Sequence, residues 1–455
     1  MKDRNAVIWT RLGVQPIKMG TLVVTDQESR FTYEEGYEKT GLKGLGLIYP
    51  PAEFQSTIVR DRSEDFDFHP PIKSLIPSRD ERNFQRALLL KYLDKINIHP
   101  EPGFDTDWNI LIRAGHGAIG HLDVFESDEA ANSWYSTPSS KSLVELDDKF
   151  GFNLKEFMVW FDGDADVLLD VLGPTPSVGG AIPKLPLSIN RAGWDGRIGL
   201  PTRFGDTGRT DIILKLENTA QYPGIIELEA LGLKMHKDAG FDVPRYWPVQ
   251  VSDLNAIAIE RFDRLDSGGT VFMESVYSIL ASGNASVTNH YSTSYDHIGA
   301  AIDNPHVQLV SDKKEARLHL LERLVMAMLT GNGDLHLENL SIYERGGKLQ
   351  FTPVYDPVPM RAYSIHNALF PAGMGFGNYG EDIDDEIIDF KKAFYRFGKN
   401  LGISKTAMLN SIERLIKASD DYDKLVESLE TLPKENKNRL ISIHQDIKRK
   451  FDSLS

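Results

Sequence analysis

Gly333-Asp334-Leu335-His336-Leu337-Glu338-Asn339 and Phe351-Thr352-Pro353-Val354-Tyr355-Asp356 are the two stretches on which the reading of this sequence turns. The first follows a helix stop at Gly331, and the second follows the strand-like Leu349–Thr352. Two loops bearing Asp, Asn and Asp can converge on one point. Phosphoryl transfer asks for this set. One Asp orients the attacking hydroxyl and accepts its proton, while an Asn and a second Asp hold Mg2+ ions that bridge the phosphates. Asp and Asn also cap turns, and Asp334 with Asn339 alone reads equally well that way. Tyr355-Asp356 downstream tips the balance toward chemistry.

The five-residue step from Asp334 to Asn339 equals that of the protein-kinase loop H-R-D-x-x-x-x-N. Lys215 is the second piece, a cation in the apolar strand Asp211-Ile-Ile-Leu-Lys-Leu216. A buried ammonium needs a negative partner. ATP phosphates would supply one, steadied by an acidic residue on the next helix, Glu229 in preference to Glu227. The third piece is Ser177-Val178-Gly179-Gly180-Ala181-Ile182-Pro183-Lys184. Its adjacent glycines let backbone N–H groups approach phosphate, although no Walker sequence follows. The fourth is Glu260-Arg261-Phe262-Asp263-Arg264, after a buried strand, where an inter-lobe hinge would offer backbone groups to adenine. A plain loop and a solvated charge cluster are the ordinary readings of these last two.

Further outward, Ala316–Thr330 is apolar over much of its circumference, as suits a helix central to a lobe. Strands are expected at Ala6–Arg11, Ile17–Val24, Ser29–Tyr33, Leu185–Ile189, Asp211–Leu216 and Ala256–Phe262. Helices are expected after a capping box at Ser78-Arg79-Asp80-Glu81, within Asp147–Leu172, and at Ile225–Ala239, Glu386–Phe397, Lys405–Ala418 and Lys434–Phe451. The sum is an α+β chain: a β-rich N-terminal subdomain (1–145), a mixed small lobe (146–262) and a mainly helical lobe (263–455). The 455 residues include 41% hydrophobic and 26% charged residues, which are globular proportions. A net charge of −15 disfavours gripping nucleic acid over the whole surface, though not through a local patch or a basic partner. There is no cysteine, so disulfides and thiolate chemistry are excluded. No apolar run suits a membrane span and no signal-peptide core is seen, so a cytoplasmic protein is the expectation.

Together these motifs resemble the HipA family of bacterial serine/threonine kinase toxins over nearly the whole chain. The family's S-[IV]-x-G-x-x-x-K appears as Ser177 to Lys184, and its E-R-F-D-R as Glu260 to Arg264. Its [NT]-x-D-x-H-x-x-N-x-S appears as Asn332 to Ser341, and its L-x-P-x-Y-D as Phe351 to Asp356. The resemblance implies a two-lobed kinase-like fold and transfer of the ATP γ-phosphate to a protein. It makes Asp334 the proton acceptor and Asn339 and Asp356 the Mg2+ ligands. Gly179, Gly180, Ala181, Ile182, Pro183, Lys184, Lys215, Glu260, Arg261, Phe262, His336 and Tyr355 would line the ATP site. Ser177 matches a serine such kinases phosphorylate on themselves. Implied partners are a protein substrate such as an aminoacyl-tRNA synthetase, and a HipB-like DNA-binding antitoxin through which DNA is met indirectly. The sequence departs from the family at Ile182-Pro183, Phe351, Glu338 and Pro357.

Two rivals share parts of the pattern. Small-molecule kinases of the aminoglycoside or choline type also carry G-D-x-H-x-x-N, but lack the Ser177 loop and E-R-F-D-R. A kinase-shaped corepressor would hold an antitoxin on DNA without catalysis. Gly115-His-Gly-Ala-Ile-Gly120 fits a dinucleotide fingerprint, but Asp123-Val-Phe reads as a strand where that motif needs a helix. His116, His121, His290 and His297 show no zinc-ligand spacing.

Overall fold

Arg4–Thr10 alternates partly exposed and buried residues, the period of a half-buried strand. It pairs antiparallel with Ile17–Val24 on one side and Leu122–Phe125 on the other. These lie in a five-stranded sheet ordered Ile58–Asp61, Glu28–Tyr33, Ile17–Val24, Arg4–Thr10, Leu122–Phe125. Ile8, Leu22, Phe31 and Val124 form a core with Trp108 and Leu111 of the helix Phe104–Ala114. The computed structural model describes residues 3–54, 56–80, 83–137, 139, 143–145, 182–371, 374–376 and 390–454. The helix expected within Asp147–Leu172 and the loop from Ser177 to Ala181 lie outside the described residues.

The chain divides into two compact units, Met1–Asn218 with Arg245–Glu274, and Thr219–Pro244 with Ser275–Ser455. The first also holds a four-stranded antiparallel sheet ordered Tyr246–Val251, Leu254–Glu260, Arg209–Leu216, Lys184–Asn190. Leu185, Leu187, Leu214 and Ala256 pack there against Phe84 and Leu88 of the helix Phe84–Lys95. That helix begins later than the Ser78 capping box predicts. Its cap is Asn83, whose side chain accepts the Arg86 N–H, while Ser78 Oγ accepts the Asp80 N–H. Asn stands directly before the apolar run and is the stronger local cap. The strand Tyr246–Val251 went unread because Pro248 cannot donate to a ladder. It is an edge strand, as is Lys184–Asn190 with Pro186, and edges tolerate proline.

The second unit is mainly helical. Its central helix, Lys313–Thr330, is capped by Asp312 and buries every residue from Arg323 to Thr330. Gly331 ends it in the left-handed conformation at φ 74°, donating to the Ala327 and Met328 carbonyls. Ile225–Asp238, Val276–Gly283 and Tyr295–Asp303 belong to the same unit, with Phe390–Asn400, Lys405–Ala418, Tyr422–Glu427 and Lys434–Asp452. The hairpin Ser341–Arg345/Lys348–Phe351 turns through Gly346 and Gly347, both at positive φ, and leads into Tyr355 and Asp356. Among the described residues, no helix is long and apolar enough to cross a membrane.

Candidate active site

The chain leaving the central helix closes on itself at once. Asp334 N–H donates to Asn332 Oδ1 at 2.8 Å. The Asp334 carbonyl accepts both the His336 N–H at 2.9 Å and Asn339 Nδ2 at 2.8 Å. The five-residue spacing is thus the span of one hydrogen-bonded turn, ending in the short 3-10 segment Leu337–Asn339. With its Nδ2 so engaged, Asn339 keeps its Oδ1 as the side-chain atom able to ligate a cation. His336 Nδ1 accepts the Glu338 N–H at 3.2 Å, and its Nε2 lies 3.9 Å from Asp334 Oδ2.

The loop is held from outside as well. Leu337 N–H donates to the His290 carbonyl at 3.2 Å, and Tyr295 OH to the Leu335 carbonyl at 2.7 Å. Tyr355 OH meets Ser341 Oγ at 2.7 Å and donates to the Glu338 carbonyl at 2.5 Å, which ties the second motif to the first. Asp356 follows directly, at φ 53°. Left-handed backbone is uncommon outside glycine, Asp and Asn tolerate it best, and such residues cluster at functional sites. Val354 N–H donates to the Asp242 carbonyl at 2.8 Å, fastening this turn to the end of the helix Ile225–Asp238. On that helix Glu229 is fully buried. Glu227 instead accepts the backbone N–H groups of Glu430 and Thr431, each at 2.8 Å. Burial would push its pKa up, but these bonds outweigh it and hold the carboxyl below its usual range.

Sequence reasoning set His290 aside for want of zinc-ligand spacing and passed over Tyr291; the fold brings both to this loop. Their rings stand 4.4 and 5.4 Å from that of His336. Burial, then the charges of Asp334 and Glu338, push the Tyr291 phenol up to about 12. Nothing in the spacing from His290 to His336 announces this approach.

In the first unit, Lys184 and Lys215 are direct partners across adjacent antiparallel strands, and both are buried. Direct partners project to the same face of the sheet, so the two side chains leave it side by side. Pro183 is bound there through its carbonyl, which accepts the Leu216 N–H at 3.0 Å, and Ile182 precedes it. Glu260 makes a two-pronged ion pair with Arg245 at 2.7 and 2.8 Å, and Phe262 is half-buried. Arg261 is committed elsewhere. Its guanidinium pairs with Asp263 at 2.7 Å and donates to the Gly117 and Ala118 carbonyls at 3.0 and 2.7 Å. Arg264 donates to the same two carbonyls and to that of Gly120. Asp263 accepts the Gly120 N–H at 2.9 Å. Burial alone would raise the Asp263 carboxyl, but Arg261 and Arg264 hold it well below the ordinary range. The Gly115–Gly120 loop is therefore the seat of the E-R-F-D-R segment. Any contact of Arg261 with adenine falls to its backbone. Ser177, Gly179, Gly180 and Ala181 lie outside the described residues.

The sequence model of the HipA-like C-terminal domain family matches residues 176–422. This chain belongs to the HipA-like family. The HipA of Shewanella oneidensis MR-1, solved as a complex of HipA, HipB and operator DNA, superposes with a TM-score of 0.65 at 16% identity. The match covers 98% of this chain and 97% of that one. The HipA-like α+β, kinase-like fold expected from the motifs is thus the fold observed. A Haemophilus influenzae protein named "Putative kinase" is 26% identical over 261 residues, 52% of this chain and 70% of the relative. The proinflammatory kinase CtkA of Helicobacter pylori matches with a TM-score of 0.38 at 12% identity, over 54% of this chain and 87% of its own. Within the HipA-like chain the family match takes in the Lys184–Lys215 pair, the E-R-F-D-R segment and the loops that carry Asp334 and Asp356.

Proposed function

We propose that this HipA-like chain is a kinase that moves the γ-phosphate of ATP onto a serine or threonine of a protein, as the toxin of a pair with a HipB-like antitoxin. The observation that carries the reading is the closed Asp334–Asn339 turn. It carries Asp334 and Asn339 on one hydrogen-bonded turn, with Asp356 following the Tyr355 tether. Asp334 orients the substrate hydroxyl and takes its proton. Asn339 Oδ1 and the Asp356 carboxylate are hard oxygen donors of the kind Mg2+ requires. Magnesium, when bound, neutralises charge developing on the transferred group. Lys184 and Lys215, paired across adjacent strands, are assigned to the phosphates. Glu229 is assigned to steady Lys215. His336 and Tyr355 border the site through the loop they hold. Glu260, Arg261 and Phe262 serve adenine through backbone and ring. Gly179 to Pro183 are assigned to the phosphate loop, and Ser177 to self-phosphorylation.

The antitoxin assignment draws on the Shewanella protein of the same fold, which was solved with HipB and operator DNA. Incubation with labelled ATP and a cell lysate tests the whole reading. A labelled protein band, absent with Asp334→Ala, is expected. Label confined to a small molecule would replace the protein kinase with an enzyme of aminoglycoside or choline type. No transfer at all, with an antitoxin still bound, would leave the corepressor role. Mass spectrometry of the active and Asp334→Ala proteins examines Ser177. Phosphate on the inactive form, purified free of other kinases, would exclude self-modification.

A further inference from the structure

We propose that His290, His336 and Glu338 form a site for a divalent transition-metal ion of the zinc class, beside Asp334 and separate from the Asn339–Asp356 oxygen pair. His290 comes from the segment between the helices Val276–Gly283 and Tyr295–Asp303, and the other two from the loop that carries Asp334. One ligand atom from each residue lies within 4.8 Å of the other two. His290 Nδ1 and Glu338 Oε2 are 3.5 Å apart. Ligands of a tetrahedral zinc at about 2.0–2.2 Å stand roughly 3.3–3.6 Å from one another. The His290–Glu338 pair is already at that spacing. His336 offers its ligand atom within 4.8 Å of the other two, and the long 3.2 Å bond from the Glu338 N–H to its Nδ1 is the contact that yields as the ring closes on the ion.

The donor chemistry selects the ion. Two imidazoles and one carboxylate form the set that holds zinc with a fourth position open. Magnesium and calcium prefer oxygen and gain little from two ring nitrogens. The frame is also built in advance. The Leu337 N–H bond to the His290 carbonyl locks the two segments together, and Tyr291 lies edge-on against both rings. Side-chain exposures of 32% for His290, 12% for His336 and 39% for Glu338 leave a path for the ion without leaving the ligands loose. The geometry does not depend on the kinase reading. An ion there would pin the loop that carries Asp334 and offer its open position to an anionic or hydroxyl-bearing ligand.

The test uses the full chain freed of metal, without nucleotide. Calorimetric titration with Zn2+ and visible spectroscopy with Co2+ should show one tight equivalent in a tetrahedral nitrogen and oxygen field. His290→Ala and, as a milder change, His290→Gln should each weaken that equivalent on the order of tenfold or more. Asp356→Ala should leave it unchanged. Thermal denaturation checks that each variant is folded. Equal affinity in the folded His290→Gln protein, an octahedral cobalt spectrum, or no tight equivalent at all would overturn the site. Because no phosphoryl transfer is measured, an inactive protein that still binds Zn2+ would count against the kinase reading and not against the metal site.

Discussion

Asp356 spends backbone strain at φ 53° to stand where it does, with Pro357 behind it and the Tyr355 tether ahead. Asp356→Ala removes the carboxylate and also sets an alanine in left-handed backbone, so thermal denaturation must first show the variant folded. Loss of a charge-stabilising ligand should cost several kcal/mol in the transition state, on the order of 10³ in rate. Unchanged phosphoryl transfer in that variant would sink the metal assignment. Asp334 is assigned to the hydroxyl and not to the nucleotide, so its loss belongs in turnover. Asp334→Asn should bind ATP by calorimetry with near-normal affinity while activity disappears. If ATP binding vanished instead, with any bound fraction reacting normally, the role would be wrong. The Asp334–Asn339 turn was legible in the sequence because its hydrogen bonds close within six residues. Arg261 was not legible. Its partners at Gly117 and Ala118 lie more than 140 positions away, and no local pattern separates a buried staple from a ligand contact.

At the scale of elements, the helix Ile225–Asp238 decides how the Asp356 turn is seated. A Cβ on Gly232 would lie 2.1 Å from the Pro357 carbonyl oxygen, far inside contact distance, and the obstacle is backbone. Gly232→Ala would gain helix propensity but must push the Pro357 segment away. Overpacking of this kind costs about 1–3 kcal/mol, more than the roughly 1 kcal/mol that alanine gains over glycine. A lower unfolding midpoint and weaker Mg-ATP binding are expected together. A stabilised variant with full activity would show that the helix and the turn are not coupled. Elements with a strong period, such as Lys405–Ala418, were legible to the residue, because one buried face dictates where each turn must lie. The edge strand Tyr246–Val251 was not, because its proline argues against a strand until the sheet order shows that this strand has a free side.

Across the whole molecule, buried neutral histidines set how the fold meets acid. His69 and His121 are buried in the first unit, and His236 is buried in the second. Burial first, then the nearby Arg60, pulls His69 down to about 4; burial likewise takes His121 to about 4. Burial and then Arg323 pull His236 well below its ordinary value. Each is neutral in the fold and titrates near 6.5 once unfolded. Between those values the unfolded chain binds more protons, so stability falls as pH falls through that window. For His69 or His121 the full effect is on the order of 3 kcal/mol. The buried Asp123 and Asp263 carboxyls act in the same direction but at lower pH. Their pKa values are lowered in the fold, so their contribution persists above the unfolded carboxylate value, about 3.9, and is lost only below it. Relief of the −15 net charge on acidification is spread over a screened surface and should offset little of this. Unfolding followed by calorimetry should therefore show a steady midpoint above about pH 7 and a steep fall between about 6.5 and 4. His69→Gln, which keeps a hydrogen-bonding group for Ser29 Oγ without a titrating ring, should flatten part of that fall in the first unit. A midpoint that stays level down to pH 4.5, or a His69→Gln protein with an unaltered slope, would show that these rings do not govern the acid limit.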